Sequence, residues 1–181
     1  MKFLKILLLL LAFCAIMAEE PTYGNAHVSK VVRVYDGDTF FADLTGVHPV
    51  IGQEVGIRID GIDTPELSLK TYLKKAKTVA DSAKAGDVHD LAQAAKLYVE
   101  KRLKESSCVV LTNIKRGKYF RLVATIMVDG SDLGKELLDK GFALPYDGGK
   151  KTDWMKASIE KEVKLDASIK VIQPEAPVKK K

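Results

Sequence analysis

Two short stretches hold most of the side chains that could do chemistry. The first is Asp36-Gly37-Asp38-Thr39, set between two apolar runs. The second is Val55-Gly56-Ile57-Arg58-Ile59-Asp60, continuing through Gly61-Ile62-Asp63-Thr64-Pro65-Glu66. Each has an ordinary explanation: Asp-Gly is a common hairpin turn, and Thr64-Pro65-Glu66 can open a helix. Strand alternation turns Val55, Ile57 and Ile59 one way and Arg58 the other. Taken together, however, the two stretches supply an arginine and several carboxylates. Hydrolysis of a phosphodiester asks for positive charge to meet the charge growing on phosphate, a base or orienting group for water, and in-line geometry. Asp38 and Asp63 are hard oxygen ligands suited to Ca²⁺, Glu66 can hold or deprotonate water, and the Arg58 guanidinium can fork onto phosphate oxygens.

The elements that must position these groups read mostly as strands. The runs His27–Tyr35, Asp38–Leu44, Val55–Asp60, Cys108–Lys115 and Phe120–Val128 are rich in Val, Ile, Leu and Phe, with turns containing Gly or Asp between them. Five such strands fit an OB-type barrel with packing helices, a mainly β chain that is α+β by content. Between the third and fourth runs, Leu69, Tyr72, Leu73, Ala76, Val79, Ala80 and Ala83 recur at helical spacing. Gly86 and Asp87 interrupt this pattern, so Asp87 is expected to cap a second helix running to Lys104. A short helix is expected after Ser131, with Leu133, Leu137 and Leu138, ending near Gly141; a last one starts at Thr152 with Trp154, Ile159 and Val163. Both read as packing helices.

With 46% hydrophobic and 29% charged residues, the 181-residue chain is an ordinary globular protein with room for one domain and appendages. Lys2 and Lys5 followed by an apolar run from Ile6 to Ala18 read as a signal peptide over residues 1–18, too short to span a bilayer. Phe13 stands where a lipoprotein signal wants a small residue before Cys14. A linker (19–26), one domain (27–171) and a basic tail (172–181) are expected to follow, with an exported, periplasmic or secreted product and no membrane span. Loss of the leader lowers the basic count from 29 by two against 24 acidic residues, a net charge of +3. That balance suits a polyanion partner without demanding one. Of the two cysteines only Cys108 would remain, expected as a buried inert thiol in an apolar run. His27, His48 and His89 are scattered and form no zinc-spaced pair.

The two acidic stretches closely resemble motifs of the staphylococcal nuclease family, and the likeness continues through Lys118-Tyr119-Phe120-Arg121, Ala124, Asp129-Gly130, Leu133 and Gly141. The resemblance covers roughly residues 27–146. It implies an OB-fold nuclease that uses Ca²⁺ to cut DNA and RNA with 3′-phosphate products, and it places Asp38, Asp63 and the Thr64 carbonyl at the metal. Glu66 would act on water, while Arg58 and a second arginine, Arg121, would hold the phosphate. Tyr119 and Tyr146 are candidates to stack on bases, with Lys118 beside them as a polyanion contact. A monomer with no stable protein partner is expected.

The family hairpin usually reads Asp-Lys-Tyr-Gly-Arg, whereas Gly117 and Phe120 stand here in place of its aspartate and glycine. Phe is poor at positive φ, so the turn is expected to move back to Arg116-Gly117, leaving Arg116 as an alternative to Arg121. The rival reading is an OB barrel that binds nucleic acid without cutting it; a decayed site should lack one of Asp38, Arg58, Asp63, Glu66 and Arg121, and all five are present.

Overall fold

The computed structural model describes residues 22–160. The expected leader, the 172–181 tail and the Val163 end of the last helix lie outside them. Strands β1 (Ala26–Val34), β2 (Thr39–Leu44), β3 (Val55–Ile59), β5 (Val109–Arg116) and β6 (Leu122–Val128) follow the apolar runs read from the sequence. They lie in the order β3-β2-β1-β5-β6, with β7 (Ser131–Asp132) on the outer side of β6. β3 also pairs with β6 in parallel, Ile57 opposite Leu122 and Arg58 opposite Val123, and this seam closes five strands into a barrel. Alternation fills the interior: Phe40, Ala42 and Leu44 point inward from β2, and Ala124, Ile126 and Val128 from β6. With Ile57, Ile59 and Leu111 they form a dry core, each large side chain contributing about 1.5–3 kcal/mol by its burial. A second ribbon pairs β4 (Ile62–Asp63) with β8 (Leu144–Pro145), and helix α1 (Pro49–Gly52) lies in the β2–β3 connection.

The helical block differs from the expected pair. After α2 (Leu69–Leu73), a single helix α3 runs from Val79 to Glu105, 27 residues through Gly86 and Asp87 without a break. Its cap is Thr78: the Thr78 hydroxyl accepts from the Asp81 N–H, and the Asp81 carboxylate accepts from the Thr78 N–H. Gly86 costs the helix about 1 kcal/mol relative to alanine, which is less than what is gained by burying Ala85, Val88, Leu91, Ala92, Ala95 and Val99. A Cβ placed on Gly86 would meet nothing within 4 Å. Gly86→Ala is therefore expected to stabilise the protein by about 0.5–1 kcal/mol, read as a higher urea midpoint at unchanged slope; a lower midpoint would mean that glycine serves a purpose there. Helix α4 (Leu133–Asp139), capped by Asp132, ends at Gly141 with φ 76°. It is pinned to α3 by Glu136, which accepts two hydrogen bonds of 2.8 Å from Arg102 and one of 2.7 Å from the Tyr98 hydroxyl. The hydrogen bonds from Arg102 hold the Glu136 carboxyl below its usual range. Helix α5 (Trp154–Glu160) packs against α3.

Two further expectations are corrected. The β5–β6 turn has not moved back: Tyr119 and Phe120 carry the positive φ themselves, 58° and 59°, and Gly117 is extended. Gly117 N–H donates to the Arg121 carbonyl and Arg121 N–H to that of Lys118, at 2.8 and 3.2 Å. A two-residue turn matching the strand twist needs left-handed backbone at both central positions, and side chains accept it at about 1–2 kcal/mol per residue. Phe120 is 86% exposed, with the Arg116 guanidinium 5.5 Å from its ring centre. Cys108 is exposed rather than buried. It precedes β5, its N–H held by the Asp129 carboxylate, and the inward alternation starts one residue later at Val109. Among the described residues no helix is long and apolar enough to cross a membrane.

Candidate nuclease site

The Asp36–Thr39 segment is both a hairpin turn and a source of carboxylates. Tyr35 and Asp36 N–H groups donate to the Thr39 carbonyl, and the Asp36 carboxylate accepts from the Asp38 N–H at 3.1 Å. A Cβ on Gly37 would come within 2.8 Å of Ala95 and 2.9 Å of the Thr64 hydroxyl, so only glycine lets this turn close onto α3 and the second acidic segment. Pairing of β2 with β3 then sets Thr39 opposite Arg58. Arg58 donates to the Asp38 carboxylate at 2.8 Å, to the Asp63 carboxylate at 3.2 Å and to the Ile62 carbonyl at 3.3 Å. Thr64 N–H reaches the other oxygen of Asp38 at 3.3 Å. Asp38 and Asp63 are 2% and 1% exposed, so this is a buried charge cluster built around one guanidinium.

Asp36 joins it from behind. Burial, and then the charge of Asp38, push its carboxyl up to about 7. Glu66 stands at the half-exposed edge, its N–H donated to the Tyr72 hydroxyl at 2.5 Å and its carboxylate in an ion pair with Lys151. Partial burial disfavours the Lys151 charge, but the hydrogen bond to Glu66 and the charges of Glu66, Asp63 and Asp38 outweigh it and raise the ammonium above its usual range. Burial pushes the Tyr72 hydroxyl up to about 12.

The other sequence-derived candidates lie around this cluster. The β4–β8 ribbon carries Tyr146 to the site, where the Arg58 guanidinium lies 5.5 Å from its ring centre. The stem of Arg121 packs over Gly56, next to Arg58 on β3, with no acidic partner among its described contacts. Tyr119 and Lys118 sit exposed on the hairpin, where the Arg116 guanidinium lies against the Phe120 ring. Tyr35, Phe41, Tyr119 and Phe120, with Arg116 and Arg121, line a groove of roughly 1130 Å³ that reaches Thr39. Sequence reasoning missed three neighbours of the acids: Asp36, Lys151 and Trp154, whose buried indole N–H donates to Asp63 at 3.1 Å. Trp154 and Lys151 are distant in sequence from both motifs, and the apolar pattern around Trp154 signals only packing.

The donor set suits a hard divalent cation. Two buried aspartates, Asp38 and Asp63, pair with a single guanidinium, a third, Asp36, accepts from the Asp38 N–H, and among the described residues the Thr64 hydroxyl is fully buried without a hydrogen-bond partner. Asp38, Asp63 and the Thr64 carbonyl would hold the ion. Among the described residues no three His, Cys, Asp or Glu side chains already converge as a metal cage, so water oxygens would complete the shell.

The sequence profile of the family described as "Staphylococcal nuclease homologue" matches residues 56–167, which is more than half of the chain and includes Arg58, Asp63, Glu66, Arg121 and Trp154. The first acidic turn precedes the match and is tied to it through Arg58. An uncharacterized protein of Methanocaldococcus jannaschii is 29% identical over 132 residues, covering 66% of this chain and 59% of the relative. The chain thus spans less than two thirds of that relative's length. With the barrel, the acidic cluster and a profile running from β3 past α5, the chain belongs to the staphylococcal nuclease homologue family.

Proposed function

We propose that this protein is an exported, Ca²⁺-dependent phosphodiesterase that cuts DNA and RNA and leaves 3′-phosphates. The observation that carries this reading is the buried joining of Asp38, Asp63 and Thr64 around Arg58. When bound, the cation supplies charge neutralisation at the scissile phosphate. Arg58 has three of its five N–H groups taken by Asp38, Asp63 and Ile62, leaving others for a phosphate oxygen. Arg121, with no acidic partner among the described residues, meets the phosphate from across Gly56. Glu66 takes a proton from the attacking water as the new bond to phosphorus forms. The bond to the 5′ oxygen breaks, and that oxygen takes up a proton. Tyr146, Tyr119 and Lys118 flank the substrate, and the aromatic groove with its arginines offers ring faces for bases and positive charge for the strand.

Purified protein lacking residues 1–18, incubated with plasmid and total RNA, is expected to degrade both in Ca²⁺ and neither in excess chelator, with Mg²⁺ a poor substitute because the short carboxylates and carbonyl suit a larger ion. Full activity in chelator would remove the mechanism. Retention of both nucleic acids without cleavage would favour the non-cutting barrel.

A further inference from the structure

The acidic cluster has one wall that neither motif supplies. Downstream of β8 the chain folds on itself, the Tyr146 hydroxyl donating to the Gly149 carbonyl and the Asp147 carboxylate accepting from the Gly149 N–H, both at 2.9 Å. It then delivers Lys151 to Glu66 and Trp154 to Asp63, two donors on two different acids. The Trp154 side chain is 6% exposed, and a buried N–H without a partner would cost about 1–3 kcal/mol. It is donated to one oxygen of Asp63 while Arg58 occupies the other, so both oxygens are fixed and the plane of the carboxylate is set. Packing alone would be served by any large apolar ring.

We propose that Trp154 is a positioning residue for Asp63, locking the orientation in which that carboxylate meets the cation, and that the 146–154 segment is a structural wall of the site. The cation half of this inference rests on the function proposed above; the Trp154–Asp63 hydrogen bond does not. Partners of metal ligands typically contribute 10–100-fold in metal affinity.

Trp154 is the sole tryptophan of the chain, so ¹⁵N-labelled protein gives one indole N–H resonance. In chelator, that proton is expected downfield in the wild type and shifted upfield in Asp63→Asn. Calorimetric titration of the full mature chain with Ca²⁺ is expected to show affinity about 10-fold weaker in Trp154→Phe. An indole resonance indifferent to Asp63→Asn would overturn the assignment, as would wild-type Ca²⁺ affinity in a folded Trp154→Phe. Should that variant fail to fold, the indole shift decides alone. A wild-type protein that takes up no Ca²⁺ would sink the cation reading, while the indole comparison would still uphold or overturn the role of Trp154.

Discussion

Glu66→Gln is expected to lower turnover by roughly 10²–10⁴ while leaving the fold and substrate binding in place, the usual worth of a positioned acid–base group. The amide keeps the shape of the carboxylate but cannot accept the water proton at neutral pH. Fold retention follows from what Glu66 holds. Its backbone N–H, not its side chain, contacts Tyr72, and its side-chain partner Lys151 is half-exposed, an ion pair whose loss costs at most about 1 kcal/mol. Single-turnover cleavage of a short oligonucleotide, alongside binding of a non-cleaved analogue, separates the two effects. An unchanged rate would reduce Glu66 to an anchor for Lys151.

Arg121→Lys is expected to remove about 3–4 kcal/mol of transition-state stabilisation, a fall of roughly 10²–10³ in turnover, with a smaller effect on ground-state binding. The planar two-pronged guanidinium matches two phosphate oxygens, and an ammonium keeps the charge without that geometry. Because Tyr119 and Phe120 hold the turn, Arg121 stays beside Gly56, close to Arg58, while the Arg116 guanidinium lies against the Phe120 ring. Arg116→Lys should therefore be nearly silent. Replacing Arg116 and Lys118 with alanine should weaken binding and flatten its salt dependence while sparing the saturated rate. Normal turnover in Arg121→Lys with a crippled Arg116→Lys would reverse the assignment.

The barrel was legible because each of its strands declares itself locally, by alternation and by a turn at each end. The acids were legible because their neighbours in the chain are also their neighbours in space: Thr39 pairs with Arg58, and Asp63 follows Arg58 through one tight turn. What could not be read were choices decided at a distance. Gly86 signals a break, yet the apolar face on both sides of it buries continuously and overrides the local preference. Phe120 argues against a left-handed turn, but the strand register demands one there. Trp154 and Lys151 reach the site only because β8 pairs with β4, a contact of two residues that no pattern in either segment foretells.

The seam between β3 and β6 bears on how the candidate site is assembled. Arg58 lies on β3 and Arg121 immediately precedes β6, far apart in sequence and brought together by the one parallel pairing among the described residues. Contacts of such long sequence separation are costly in loop-closure entropy and slow the rate of folding. A chain that has formed the β1–β2–β3 meander already holds Asp38 against Arg58, yet it lacks Arg121 until the seam zips. On the function proposed above, recovery of catalysis during refolding times the closing of the barrel, whereas the Asp38–Arg58 ion pair reports only the meander.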